Sequence, residues 1–258
     1  MACKTLKKYI KIKLDKQGAT SSLSFTLKLF IKHGGNMENT LEQIKNYTYQ
    51  LLKNDTTGHS MDHIERVVAI CKQILPTEPQ ADSFVVLAAA YLHDTIDDKL
   101  VEDEAAAAKE LHSFLLSLAI EPKTCQEIMY IIQHLSFSKE IVSGKGSLSI
   151  SGKIVQDADR IDALGAIGIL RTAYFGGGKG HPIYDPSIQP VDYTTKKDYR
   201  RGSTVINHFY EKLFLLPERM NTSFGKKEAL RRKIFMEKFL EEFYLESAPL
   251  ENPTRETN

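Results

Sequence analysis

The stretch "FVVLAAAYLHDTIDDK", residues 84–99, closes an apolar run with His93 and Asp94 side by side, then adds Asp97 and Asp98. An unpaired carboxylate is costly in a protein interior, so an acid that faces inward is paired or holds a cation. Two further stretches put similar groups where helical spacing turns them inward. His63 opens "HIERVV", one turn before Val67, and Asp159 lies in "DADRID", one turn from Val155 and near Ala158 and Ile161. Two imidazole nitrogens and two carboxylate oxygens from three helices would form a mixed N/O site for one divalent ion. That donor set suits Mn, Mg, Co, Fe or Ni better than a thiolate zinc site does. Taken singly, each stretch has a plainer reading. A histidine near a helix start caps it or faces solvent, His-Asp pairs arise by chance, and Asp159 can pair with Arg160 or face water.

Other residues could contact a substrate. His59 and His63 form H-x-x-x-H, but Ser60 stands where a zinc-protease motif needs Glu; with Ser60 as the helix cap, His59 lies outside the helix as a candidate substrate contact or support beside the ligands. His134, after "MYIIQ", is a candidate phosphate contact or a histidine at the edge of the core. Arg66 and Arg160 sit near the possible ligands, where pairing with internal acids competes with phosphate binding. "GGGKGHP", residues 176–182, misses phosphate-loop spacing because position 173 is Ala and Gly180 follows Lys179, although Lys179 can still meet a phosphate. No G-x-S-x-G elbow is present, which weighs against a serine hydrolase.

The elements that must position these groups read as helices almost throughout. In "HIERVVAICKQIL", Ile64, Val67, Val68, Cys71, Ile74 and Leu75 share one helix face. Ser60 is the predicted N-cap and Pro76 the stop. "DSFVVLAAAYLHD" is apolar nearly all round, which predicts a central helix finished by His93 and Asp94. "EDEAAAAKELHSFLLSLA" has acids in its first turn, and "TCQEIMYIIQHL" opens with Thr124 and Glu127 at capping-box spacing. Residues 136–152 read as a Ser/Gly-rich loop. "KIVQDADRIDALGAIGILRTAYF" then predicts one long helix ended by Gly176–Gly178, followed by a loop to about residue 195. Two amphipathic helices are predicted near 199–216 and 226–246. The fold class is all-α, with no convincing set of alternating strands.

Composition narrows the function classes. The 258 residues are 42% hydrophobic and 26% charged with a formal net charge of +1, so nothing global favours nucleic acid or an anionic membrane. No apolar stretch approaches the roughly 20 residues of a membrane span. The cysteines, Cys3, Cys71 and Cys125, form no CxxC pair and read as reduced thiols, which points to the cytoplasm. Residues 1–36 are a lysine-rich N-terminal extension ending in Gly34-Gly35-Asn36, readable as a targeting segment, a membrane-surface helix or a peripheral extension. Residues 37–250 carry the motifs, and 251–258 form a polar tail.

The order of the motifs, His-x-x-Arg-Val, then His-Asp after an apolar helix, then Ala-Asp-Arg-Ile-Asp, resembles the HD superfamily of metal-dependent phosphohydrolases. "TGHSMDHIERV", "LHDTIDDK", "QDADRIDALGAIGILRTAYFGGGKGHPIYDP", "HFYEKLFLLPERMNT" and "FMEKFLEEF" are similar, in order, to small stand-alone bacterial-type members over roughly residues 40–246. The resemblance implies an HD-domain helical bundle with a metal site between central helices, and makes His63, His93, Asp94 and Asp159 the ligands of one divalent ion. Such an ion lowers the pKa of a bound water. Asp97 is then the candidate general base, with Asp98 as alternate. The expected activity is release of phosphate or pyrophosphate from a small phosphorylated substrate of nucleotide type. His59, Arg66, His134, Arg160 and Lys179 are the candidate substrate contacts. The alternatives are a two-metal phosphodiesterase that recruits His134 or His59, and a nucleotide-sensing module without chemistry. No nucleic-acid partner is expected, and an oligomer is left open.

Overall fold

Asp82 starts the helix on which the rest is assembled. Its carboxylate accepts hydrogen bonds from Phe84 N (2.8 Å) and Val85 N (3.1 Å), satisfying two amides that a helix start leaves without partners. The apolar run that follows is helical and buried through Val85, Val86, Ala88, Ala89, Ala90 and Leu92. In the computed structural model, the described residues are 21–53, 60–97, 100–137, 140, 146–193 and 203–247, with side chains from residue 37. Helices in chain order are α1 (Ser21–Leu52), α2 (Met61–Ile74), α3 (Ser83–Leu92), α4 (Glu104–Ser117), α5 (Pro122–His134), α6 (Ile150–Asp162), α7 (Gly165–Gly178), α8 (Asn207–Glu211) and α9 (Ser223–Ser247). Short 3-10 turns lie at Leu75–Thr77, Leu213–Leu215 and Pro217–Arg219. There is no strand among the described residues, so the fold is all-α.

Two compact units divide the chain, Met1–Gln43 and Ile44–Asn258. In the second, α2, α5 and α6 pack around α3, α2 also packs along α6, and α9 covers α6 and α7. The predicted stripe of α2 is the buried one, with Ile64, Val67, Cys71 and Ile74 at zero exposure. Each such aliphatic side chain contributes roughly 1.5–3 kcal/mol by leaving water. Cys71 and Cys125 are both buried free thiols.

Several boundaries differ from the sequence expectation. The central helix ends at Leu92, before His93 and Asp94, because side chains take its last carbonyls. His93 Nδ1 meets Ala90 O (2.9 Å), the Thr48 hydroxyl meets Tyr91 O (3.1 Å), and the Thr95 hydroxyl meets Leu92 O (2.7 Å). The predicted long helix over "KIVQDADRIDALGAIGILRTAYF" is two, α6 and α7, since Gly165 adopts φ +76°. The triplet Gly176–Gly178 forms the last turn of α7 instead of ending it, and Gly180 (φ +71°) is the left-handed residue beyond. Thr124 and Glu127 make no capping box, as α5 begins at Pro122. Ser60 occupies the N-cap of α2 but caps nothing; its hydroxyl donates to Asp62. The predicted helix near 199–216 is, in its described part, only α8 and the 3-10 turn Leu213–Leu215. Asn207 and Glu211 of α8 spend their side chains on the preceding loop, through Ile188 O (2.8 Å) and Val191 N (3.2 Å).

Helix α1 runs through Gly34-Gly35-Asn36, so the change in composition there is no helix break. Residues 1–20 and the tail 251–258 lie outside the described residues. Among the described residues, no helix is long and apolar enough to cross a membrane.

Candidate metal centre

His63 sits in the first turn of α2, and His93 and Asp94 in the turn that follows α3. Asp159 lies in the last turn of α6. The packing of α2, α3 and α6 brings their tips together. His63 Nε2 is 3.1 Å from His93 Nε2, 3.4 Å from Asp94 Oδ2 and 3.5 Å from Asp159 Oδ1. His93 Nε2 is 3.4 Å from Asp94 Oδ2 and 3.7 Å from Asp159 Oδ1. His63, His93 and Asp94 are buried and form a group able to hold an ion, while the Asp159 side chain is 33% exposed and marks the solvent side.

The remaining ring nitrogens show what these four atoms are for. His93 Nδ1 faces the carbonyl of Ala90, which can only accept, so that nitrogen carries the proton. His63 Nδ1 faces Asp162 Oδ2 at 2.8 Å and donates to it. A neutral imidazole has one N–H, and both rings spend it away from the cluster. Two Nε2 lone pairs and two carboxylates therefore point into one small volume, a donor set that fits a divalent cation. Burial opposes charging His63, but hydrogen bonds to Asp162 and Asp94 outweigh it and raise its pKa to about 9.

Asp162 was not singled out by sequence reading, although it lies three residues after Asp159 on the same helix. It is 1% exposed and receives His63 Nδ1, Arg66 Nε (2.7 Å) and Arg171 Nη1 (2.8 Å). Burial works against its ionisation, yet the hydrogen bonds from His63 and Arg66 hold it well below the usual carboxylate range. Arg171 comes from α7, which begins at the left-handed Gly165, and reaches back to Asp162 on α6.

The other candidates fall in different places. Asp97 is half-buried, and its amide donates to Asp94 O (3.0 Å) in a tight turn beyond the helix. Arg66 is engaged by Asp62 and Asp162, and buried Arg160 by Glu140 and Arg219 O (2.9 Å). His134 is exposed and stacks on Tyr130, with ring centroids 4.1 Å apart. Lys179 is exposed at the end of α7, its ammonium 5.8 Å from the centre of the Phe175 ring. His59 and Asp98 lie outside the described residues.

Residues 61–164 match the family model of the HD domain, a span from the first residue of α2 to just past α6 that encloses the whole cluster. Uncharacterized protein YpgQ of Bacillus subtilis (strain 168) is 34% identical over 199 residues, covering 77% of this chain and 89% of YpgQ. The chain belongs to the HD superfamily. A solved protein of Lactobacillus plantarum is similar to this HD-superfamily chain with TM-score 0.74 and 41% identity over 81% of this chain and 97% of its own. YpgQ, solved in complex with ADP, gives TM-score 0.67 and 30% identity over 84% of this chain and 100% of its own. An HD-superfamily hydrolase of Bacillus thuringiensis gives TM-score 0.64 and 37% identity over 81% and 97%.

Proposed function

We propose that this chain is a divalent-metal-dependent phosphohydrolase that releases phosphate or pyrophosphate from a nucleotide-type substrate. The observation that carries the reading is the pair of Nε2 atoms 3.1 Å apart, neither left with a proton when the rings are neutral, beside the carboxylates of Asp94 and Asp159. His63, His93, Asp94 and Asp159 would hold one ion among Mn, Mg, Co, Fe and Ni. When bound, that ion supplies Lewis acidity and a water of lowered pKa. Asp94, tethered by its backbone to the end of α3, brings a charge that is kept out of bulk solvent and so acts at short range with little screening. Asp159, its side chain one-third exposed, leaves one side of the cluster open for a phosphoryl group to approach. Asp97, whose backbone joins the Asp94 turn, would accept the proton of the attacking water on its carboxylate, with Asp98 as the alternate. Of the candidate substrate contacts, exposed Lys179 and His134, with His59, remain for the substrate's phosphates. Arg66 and Arg160 instead hold the protein's own carboxylates. A nucleotide is favoured because YpgQ was crystallised with ADP.

The test is metal analysis of the purified protein, followed by assays of phosphate and pyrophosphate release from nucleoside mono-, di- and triphosphates. About one divalent ion per chain is expected, with release that a chelator stops. Asp94→Ala should abolish release while far-UV circular dichroism remains that of a helical protein. Full turnover by Asp94→Ala, or by chelator-treated protein, would overturn the reading.

A further inference from the structure

Asp162 makes more hydrogen bonds than a structural anchor for one arginine requires, and their distribution is uneven. Oδ2 receives His63 Nδ1 (2.8 Å), Arg171 Nη1 (2.8 Å) and Arg66 Nη2 (3.2 Å), while Oδ1 receives Arg66 Nε (2.7 Å). Two guanidiniums on two different helices clamp a single carboxylate that is itself 1% exposed. A carboxylate has no torsional freedom left once both oxygens are held this way. The group it presents to His63 is therefore an acceptor of fixed direction. An imidazole can turn over about its χ2 torsion or move its proton to the other nitrogen, and either change would take the Nε2 lone pair away from the cluster.

We infer that Asp162, clamped by Arg66 and Arg171, is a positioning residue that holds His63 as the Nδ1–H tautomer with its Nε2 lone pair directed at the metal. This rests on the metal-site reading above and adds to it a role for α7, which supplies no ligand. Asp159 and Asp162 share the last turn of α6, so a ligand and the group that orients another ligand move as one body. Arg171 reaches back from α7 across the left-handed Gly165 and ties that body to the next helix. Partners of this kind on ligating histidines typically change metal affinity by about 10–100-fold when removed.

Mn2+ affinity, followed by the electron paramagnetic resonance of the free ion, tests the inference with no reference to turnover. Asp162→Ala should raise the Kd for Mn2+ by about 10–100-fold. Asp162→Asn removes the same charge but keeps an acceptor. Three donors meet at the Oδ2 position and one at Oδ1, so the amide oxygen should take the Oδ2 place and recover most of the affinity. Equal losses in the two variants would mean that only the charge matters, and an unchanged Kd in Asp162→Ala would mean no role; either overturns the inference. Should the alanine variant fail to fold, the wild type still decides. In the Mg2+-loaded protein, a slowly exchanging Nδ1–H signal, assigned by its loss in His63→Gln, should be present, and its absence overturns the proposal. A wild type that binds no Mn2+ would instead remove the metal-site reading itself.

Discussion

Asp97 occupies the position where acid-base work and metal ligation are most easily confused. Its backbone amide is hydrogen-bonded to the Asp94 carbonyl at 3.0 Å, so the two residues belong to one tight turn. Asp94 is directed into the buried cluster, and Asp97 is half-buried at its margin. Asp97→Asn preserves the shape of the side chain and removes its capacity to take a proton near neutral pH. Metal content should stay unchanged while kcat falls by about 10²–10⁴-fold. An effect confined to KM would make Asp97 a substrate contact, and loss of metal would make it a ligand. If neither changes, Asp98 becomes the residue to test. His63, His93, Asp94 and Asp159 were legible as candidates because helical spacing turns them inward, and as a ligand set because their order resembles that of the HD superfamily. Asp162 escaped notice because it follows Arg160 in "DADRID", where a local ion pair is the plainer expectation. Two of its partners, Arg66 and His63, are 96 and 99 residues away.

The junction of α6 and α7 is the element on which the Arg171 contact depends. A Cβ on Gly168 would lie 2.2 Å from the carbonyl oxygen of Ala163, which is backbone and has little room to yield. Gly168→Ala should therefore force the two helices apart despite the better helix propensity of Ala. The expected cost is about 1–3 kcal/mol, read as a fall in Tm on the order of 5 °C. A second tie joins α9 to the same junction, where Arg232 Nη1 donates to Ile161 O (2.9 Å) and is itself held by Glu228 (2.7 Å). The hydrogen bond from Arg231 and, against the opposing effect of burial, that from Arg232 lower the Glu228 pKa from 4.5 to about 2. A carboxylate depressed by folding stabilises the folded state above its ordinary pKa, and that contribution is lost as pH falls from about 4.5 to about 2. Glu228→Gln should remove this slope from the acid unfolding curve. The pair is partly exposed, so the difference at neutral pH should not exceed about 1 kcal/mol. An unchanged slope in the variant would show that another carboxylate sets it.

For the molecule as a whole, the lysine-rich segment is the part whose contribution is open to direct test. The family match begins at residue 61, and the candidate centre is built entirely from residues 63–171. Deleting residues 1–36 should preserve turnover on a small nucleotide, measured alongside the helical circular dichroism signal. A large loss of kcat in a protein that still folds would give this segment a part in catalysis.

An all-α fold and a buried central helix within "DSFVVLAAAYLHD" could be read from the chain alone, and the order of the His and Asp motifs named the candidate ligands by resemblance. The fold and the helix depend on local chemistry, the period of the apolar residues. Where the helices stop could not be read that way. Thr48 and Arg232 act on residues distant in the chain, at Tyr91 O and at the Ile161 and Leu164 carbonyls. The proton positions on His63 and His93 likewise depend on what faces the second nitrogen of each ring, and for His63 that is a carboxylate 99 residues away. Residue types are enough to propose a metal site. Its ligand geometry requires the packing of α2, α3, α6 and α7, because only close approach in space decides which nitrogen keeps its proton and which turns a lone pair toward the ion.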